Sequence, residues 1–278
     1  MNTISPLVNT TWLFENLDNP MLILLDGSLK NPVKEGATID NKIIPTALSF
    51  DWDSFSDLTN NLPHMIPNAE KFTQSAQELG INDNSVLVVY DRAGIYSSAR
   101  VWWMFLAMGF ENCFVLDGGL PEWLKMGYDH VTEYAKPKQK GNFNAVYKSH
   151  FISNQDEVFK ASTDKNKLVI DARSADRFCG KAAEPRAGLR LGHIPNALNI
   201  PFEKVLFENK IRSKTELDEL FEIVEHKNTP LIFSCGSGVT ACIDALAATL
   251  VGFKNISIYD GSWSEWGQDS IYPVAKNK

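Results

Sequence analysis

The sequence has few cysteines for its size, and their spacing excludes two common uses of that residue. Its 278 residues contain four cysteines, at positions 113, 179, 235 and 242. No two of them have the C-x-x-C spacing of redox and zinc motifs. Four thiols in a chain of this length also do not form the disulfide framework of a small secreted protein. The cysteines must therefore be explained singly.

An excess of positive charge and a long apolar run are also missing. The formal net charge is −7, and no stretch alternates Lys or Arg with aromatic residues, so a nucleic-acid partner is not expected. No apolar run approaches the length that spans a bilayer, and residues 1–10 lack the pattern of a targeting segment. We therefore expect a cytoplasmic protein with no membrane partner.

Histidines are too scattered to suggest a metal site. The chain has five, and none clusters with cysteines or carboxylates at ligand spacing. The sequence therefore predicts no bound metal.

The chain does contain an internal repeat. Residues 86–91 (VLVVYD) lead through a loop and a helical stretch to residues 113–119 (CFVLDGG). Residues 231–235 (LIFSC) lead in the same way to residues 256–261 (ISIYDG). Short apolar strands that alternate with helices indicate a mainly parallel sheet with helices on both faces.

The repeat predicts two tandem α/β domains. We expect them to comprise residues 1–135 and 150–278. Residues 136–149 are rich in Lys, Asn and Gly, which is typical of a linker.

Cys235 lies at the point where chemistry is expected. It ends a short apolar strand and begins the loop CGSGVT, which precedes an alanine-rich helix. Loop N–H groups and the positive end of the helix dipole favour the thiolate, which is the reactive form of cysteine. The first half has Asp91 at the corresponding place, and a carboxylate lacks the nucleophilicity of sulfur. We therefore expect the first domain to be catalytically inactive.

Three classes of protein have a strand-end cysteine in a glycine-containing loop. A cysteine-dependent phosphatase needs an arginine at the end of the loop to bind phosphoryl oxygens, and that position is Ala241. Sulfur transfer needs a thiolate that can hold a sulfur atom as a persulfide among N–H donors, which small loop residues provide. A non-catalytic sulfur-carrying or scaffold module that keeps the fold remains as a third alternative.

Three segments resemble the two-domain rhodanese family, in particular its 3-mercaptopyruvate sulfurtransferases. They are residues 235–240 (CGSGVT), residues 184–195, which begin EPR and end GHIP, and residues 259–266 (YDGSWSEW). The resemblance extends from about Trp12 to Val274, and it implies two rhodanese-like domains. It also implies transfer of the mercaptopyruvate sulfur through a Cys235 persulfide to a thiol or cyanide, with release of pyruvate.

The resemblance also suggests which residues bind the donor. Thiosulfate-using rhodaneses typically carry basic side chains inside the loop, at the places that are Gly236 and Ser237 here. A thiosulfate sulfurtransferase is therefore the less favoured alternative. The family holds the carboxylate and ketone of mercaptopyruvate with two arginines nine residues apart, which match Arg177 and Arg186. Loop amides over residues 236–240, including Gly236, Gly238, Val239 and Thr240, would stabilise the anionic sulfur.

The resemblance further points to a relay of Asp53, His64 and Ser237. In this arrangement Asp53 orients His64, and Ser237 polarises the substrate or stabilises the departing enolate. The expected acceptor is thioredoxin or a small thiol, and no organic cofactor is required.

Overall fold

A computed structural model describes residues 5–29, 41–164 and 167–276. The chain divides into two compact units. The first contains the described residues of Met1–Leu58, Ile66–Lys148 and Glu208–Ile211, and the second those of Thr59–Met65, Ser149–Phe207 and Arg212–Lys278. Each unit therefore includes a short segment from the other half of the sequence.

The described part of the first unit contains a five-stranded parallel sheet with strand order β1-β5-β4-β2-β3. Its strands are β1 (Leu7–Val8), β2 (Leu22–Asp26), β3 (Leu48–Ser49), β4 (Val86–Tyr90) and β5 (Cys113–Leu116). Its helices are α1 (Thr10–Asn16), α2 (Ala69–Glu78), α3 (Ser98–Ala107) and α4 (Gly119–Lys125).

Within the described residues of the second unit, another five-stranded parallel sheet has the equivalent order β6-β12-β11-β7-β8. Its strands are β6 (Ile152–Ser153), β7 (Leu168–Asp171), β8 (Leu198–Asn199), β11 (Leu231–Ser234) and β12 (Ile256–Tyr259). Its helices are α5 (Gln155–Asp164), α6 (Ala175–Phe178), α7 (Lys214–Leu220), α8 (Ala241–Leu250) and α9 (Ser262–Trp266). The short strands β9 (Leu206–Phe207), in the second unit, and β10 (Lys210–Ile211), in the first, lie outside the two five-stranded sheets.

The central strands are buried along their whole length, as expected for parallel strands with helices on both faces. Every residue of β4 and β11 is buried. The helices that follow them, α3 and α8, are buried along almost their entire length, whereas α2 is half solvent-facing. The predicted α/β architecture is confirmed, and it places the loops after β4 and β11 at the carboxyl edge of each sheet.

Residues 136–149, predicted as a linker, contain no helix or strand before a 3₁₀ turn begins at Ser149. The second half of this segment is nevertheless anchored to the first unit. Gly141 N–H donates to the Gln77 carbonyl, and Phe143 N–H donates to the Ile81 carbonyl. Phe143 is also buried. Residues 136–140, which precede these contacts, are all exposed.

Candidate active site around Cys235

Cys235 lies directly after β11, the strand between β12 and β7. Its side chain is buried, and α8 begins at Ala241, so the loop of residues 235–240 connects the strand to the helix amino terminus. The sequence-based prediction of strand, tight loop and helix agrees with this geometry.

The short helix α9 holds the Cys235 loop in place. Ser262 Oγ accepts hydrogen bonds from the N–H groups of Cys235 and Gly238, both at 3.1 Å. Trp263 N–H donates to the Cys235 carbonyl, and Ser264 N–H donates to the Gly236 carbonyl at 2.9 Å. Ser262 adopts a left-handed backbone with φ +48° and is fully buried. The shape of the Cys235 loop therefore depends on Ser262, Trp263 and Ser264, which follow it in the sequence after one helix and one strand.

The loop amides are divided between structural and open positions. Gly238 has φ +72°, a conformation that favours glycine, and its N–H already donates to Ser262. Its role is therefore to form the turn. Among the described residues, the N–H groups of Gly236, Ser237, Val239 and Thr240 donate a hydrogen bond to no protein acceptor. These amides are available to an anion.

Arg177 and Arg186 lie beside the loop. A Cβ placed on Gly236 would be 3.2 Å from Arg177 Nη2 and 3.7 Å from Arg186 Nη1. Arg186 Nη2 also donates to Ser237 Oγ at 3.4 Å. The structure thus brings together Cys235, Gly236, Ser237 and both arginines, and glycine at 236 leaves room for the two guanidinium groups.

Glu184 holds Arg177 in position, a role that the sequence analysis missed. Its Oε1 accepts from Arg173 Nη1 at 2.7 Å and from Arg177 Nε at 3.3 Å, and its Oε2 accepts from Arg177 Nη2. The Glu184 side chain is only 3% exposed. The signal was present in the EPR segment, but a sequence cannot show which arginine the glutamate contacts.

Arg173 is the buried centre of this network. It donates to both carboxylate oxygens of Asp171 and to the Gly192 carbonyl, and its guanidinium lies 4.0 Å from the Trp263 ring centroid. Burial opposes its charged form, but the carboxylates of Asp171 and Glu184 together raise the Arg173 pKa. The network therefore links β7 to Arg177 through charged hydrogen bonds.

The two remaining candidates of the relay lie in different parts of the chain. Asp53 is exposed and belongs to the first unit. His64 is half-buried with φ +60°, and its segment belongs with the second unit. Ser237 Oγ accepts from Arg186. The relay of Asp53, His64 and Ser237 remains a prediction.

In the corresponding loop of the first unit, backbone N–H groups donate hydrogen bonds to the carboxylate of Asp91. Its Oδ2 accepts from the N–H groups of Tyr96 at 2.7 Å and of Ser97 and Ser98, each at 2.9 Å. The Ser98 hydroxyl also donates to Oδ2 at 2.7 Å, and Oδ1 accepts from Ala93 N–H at 2.9 Å. The loop is therefore folded around a carboxylate that belongs to the protein itself.

Within residues 5–29, 41–164 and 167–276, no group of three or more His, Cys, Asp or Glu side chains could hold a metal ion. No helix in these ranges is long and apolar enough to cross a membrane.

The chain is similar to known proteins along most of its length. The model of the rhodanese-like domain matches residues 9–126 and 154–269. The chain is 38% identical over 273 residues to 3-mercaptopyruvate sulfurtransferase of Escherichia coli K12, covering 96% of each protein. It is also 38% identical to mitochondrial thiosulfate/3-mercaptopyruvate sulfurtransferase 1 of Arabidopsis thaliana, covering 99% of this chain and 79% of that protein.

The crystal structure of SseA from Escherichia coli, a 3-mercaptopyruvate sulfotransferase, has the same fold. It matches with a TM-score of 0.83 and 35% identity over 94% of this chain and 100% of that chain. The chain therefore belongs to the rhodanese family of sulfurtransferases, with one rhodanese-like domain in each half.

Proposed function

We propose that the protein is a 3-mercaptopyruvate sulfurtransferase that carries the transferred sulfur as a persulfide on Cys235. The main support is the position of Cys235 at the base of a loop with open amides and two adjacent guanidinium groups. The loop around Asp91 supports the same idea, because it shows that this type of loop binds an anion through its N–H groups.

The proposed first step is a displacement at sulfur. The Cys235 thiolate forms a bond to the donor sulfur, the carbon–sulfur bond of the donor breaks, and its electron pair passes to carbon as the enolate of pyruvate. The enolate takes up the proton that the donor thiol loses, so the products are pyruvate and the persulfide anion. Arg177 and Arg186 hold the donor carboxylate and ketone by forked hydrogen bonds. A thiol then removes the outer sulfur and regenerates the Cys235 thiolate.

The charges beside the loop favour mercaptopyruvate over thiosulfate. Arg173 and Arg177 are neutralised by Asp171 and Glu184, with which they form ion pairs. Arg186 has no acidic partner among the described residues, so the side chains beside the loop, counted without the Cys235 sulfur, carry one net positive charge. That charge matches a monoanionic carboxylate better than the thiosulfate dianion. Thiosulfate remains the second candidate, because the Arabidopsis relative is named for both donors.

The proposal extends to the other predicted residues. The amides of Gly236, Val239 and Thr240 stabilise the anionic sulfur, while Gly238 supplies the turn. Asp53, His64 and Ser237 form the relay that assists departure of the enolate.

The proposal also covers the first domain, the sulfur acceptor and the cellular location. The first domain is catalytically inactive, because its loop already surrounds Asp91. The acceptor is a thiol such as that of thioredoxin. The protein works in the cytoplasm, which agrees with its four cysteines, all in the described ranges, being free thiols.

Mass spectrometry after mixing the protein with mercaptopyruvate tests the persulfide. We expect one added sulfur atom on wild type and on the control variant Cys179→Ser, and none on Cys235→Ser. Absence of the adduct from wild type would favour the scaffold alternative. Specificity constants then separate the donors, because a clear preference for thiosulfate would contradict the proposed substrate.

A further inference from the structure

Ser264, a buried residue of α9, makes two hydrogen bonds to one carbonyl of the Cys235 loop. Its N–H donates to the Gly236 carbonyl at 2.9 Å, and its hydroxyl donates to the same oxygen at 2.6 Å. Ser264 is only 4% exposed, so solvent hardly competes for these bonds. A carbonyl oxygen has two lone pairs, and both are used here. The Gly236 carbonyl is therefore held pointing towards α9.

This double contact fixes the orientation of the peptide group between Gly236 and Ser237. The peptide is trans, and a trans peptide is planar, with its C=O and N–H pointing in opposite directions. Because the carbonyl points towards α9, the Ser237 N–H points away from it. That N–H donates to no acceptor among the described residues. It is thus held open through the carbonyl of its own peptide group.

The first repeat shows what an amide at this position can bind. Ala93 follows Asp91 by two residues, as Ser237 follows Cys235. The Ala93 N–H donates to Oδ1 of Asp91 at 2.9 Å. The N–H two residues further along the loop therefore reaches an anion on the residue that directly follows the strand.

Helices α4 and α9 contact the first residue of their loops in the same way. The Leu120 N–H donates to the Asp91 carbonyl at 3.1 Å, and the Trp263 N–H donates to the Cys235 carbonyl at 3.0 Å. The residue before each donor has a left-handed backbone, with φ +51° in α4 and +48° in α9. The starts of the two helices are therefore equivalent.

The next position of the two helices differs. It is Pro121 in α4 and Ser264 in α9. Proline has neither an N–H nor a hydroxyl, so it donates nothing to the loop. In the first repeat the permanent carboxylate of Asp91 holds the loop amide. The proposed anion on Cys235 forms and leaves in each turnover, so an amide that serves it must be held from another side.

We propose that Ser264 is a positioning residue for sulfur transfer, which holds the Gly236 carbonyl and thereby keeps the Ser237 N–H oriented to donate to the anionic sulfur on Cys235. A donor that is fixed before charge develops needs no reorganisation during the reaction. Ser264 acts through this peptide group alone. Its role rests on the proposed function of Cys235 as the sulfur carrier.

Steady-state kinetics of three variants test the effect of Ser264 on the reaction. Ser264→Ala removes the hydroxyl, Ser264→Pro copies the first repeat and removes both donors, and Ser264→Thr keeps both. We expect kcat for mercaptopyruvate to fall roughly tenfold in Ser264→Ala and on the order of 100-fold in Ser264→Pro. KM should change little, because Arg177 and Arg186 still hold the donor. Ser264→Thr should stay closest to wild type.

Ser257→Ala is the matched control for loss of a buried hydroxyl. Ser257 lies in β12 of the same unit, and its hydroxyl contacts Ser153 Oγ at 2.8 Å. This variant should lose stability to urea, as Ser264→Ala does, but keep the wild-type kcat. An equal fall of kcat in Ser257→Ala and Ser264→Ala would reflect general destabilisation and overturn the proposal. A wild-type kcat in Ser264→Ala would overturn it as well.

Crystal structures of wild type and Ser264→Pro test the orientation without any sulfur donor. We expect the peptide between Gly236 and Ser237 to rotate in the variant, while the ion pair of Arg177 with Glu184 stays in place. An unchanged peptide would overturn the proposal. If Ser264→Pro does not fold, the kcat values of Ser264→Ala and Ser264→Thr decide, because these two variants differ in the hydroxyl.

The two proposals fail in different ways. A wild-type protein that forms no persulfide would refute the proposed function, and the role of Ser264 in the reaction would fall with it. Normal persulfide formation with an unchanged peptide in Ser264→Pro would refute the role of Ser264 and leave the proposed function standing.

Discussion

Replacing Glu184 by glutamine gives the sharpest test of how the arginines are held. The carboxylate contacts Arg177 through both oxygens and Arg173 through one, in a position that solvent hardly reaches. Glutamine has nearly the same shape and keeps one acceptor oxygen. Its amide NH₂ would face a guanidinium group, so at least one charged hydrogen bond is lost and one ion pair is unbalanced.

The structure sets the expected size of both effects. A hydrogen bond to a charged group contributes roughly 1.5–3 kcal/mol, and Asp171 still holds Arg173, so we expect unfolding to become easier by about 3 kcal/mol. Arg177 loses its fixed orientation, and a misplaced binding group costs on the order of 100-fold or less in kcat/KM for mercaptopyruvate. The net positive charge beside the loop rises from one to two, so kcat/KM for thiosulfate should fall less than kcat/KM for mercaptopyruvate.

Urea denaturation and steady-state kinetics with both donors measure these effects. Glu222→Gln is the matched control, because Glu222 is exposed in the same unit and its loss should change neither quantity. If Glu184→Gln lowered stability but left the mercaptopyruvate specificity constant intact, Glu184 would not orient Arg177 for the donor. If it lowered neither, the charge network would have been misjudged.

Three further changes have defined outcomes. Ser262→Ala leaves the buried N–H groups of Cys235 and Gly238 without an acceptor, so urea denaturation should show a loss of about 2–4 kcal/mol, and sulfur transfer should slow. Asp91→Asn places an NH₂ among N–H donors and should destabilise by about 2–4 kcal/mol in the same assay, while the specificity constant stays unchanged. Burial lowers the pKa of His193, whose Nδ1 donates to a backbone carbonyl, so its contribution is full above the unfolded pKa of about 6.5 and declines as pH falls. Melting curves at pH 7 and pH 5 should therefore differ more for wild type than for His193→Asn.

The local parts of the fold could be predicted because they depend on neighbours in sequence. The buried strands β4 and β11 are short apolar runs, and the loops after them follow directly, so Cys235 and Asp91 could be assigned to equivalent sites. The linker was predicted from composition alone. Its second half packs on the first unit through backbone hydrogen bonds, which composition does not record.

The contacts that hold the Cys235 loop and Arg177 in place could not be predicted in the same way. Ser262 contacts the loop across 27 residues, and Glu184 bridges two arginines whose common partner is invisible in a linear chain. Ser264 reads as an ordinary polar residue of a helix. Its contact with the loop, across 28 residues, becomes evident only when the surrounding elements are in place.

The sequence by itself determined the two α/β repeats, and it predicted a reactive thiol at Cys235 with Asp91 at the corresponding place of the first repeat. These follow from periodicity, residue type and spacing, which are properties of the chain, whereas the arginines expected to bind the donor came from the resemblance to the family. The tertiary structure decided which loop amides are open, how Glu184 fixes Arg177, and how Ser264 holds the loop. Hydrogen-bond satisfaction and charge balance depend on which distant groups come within a few ångströms, and only packing determines that.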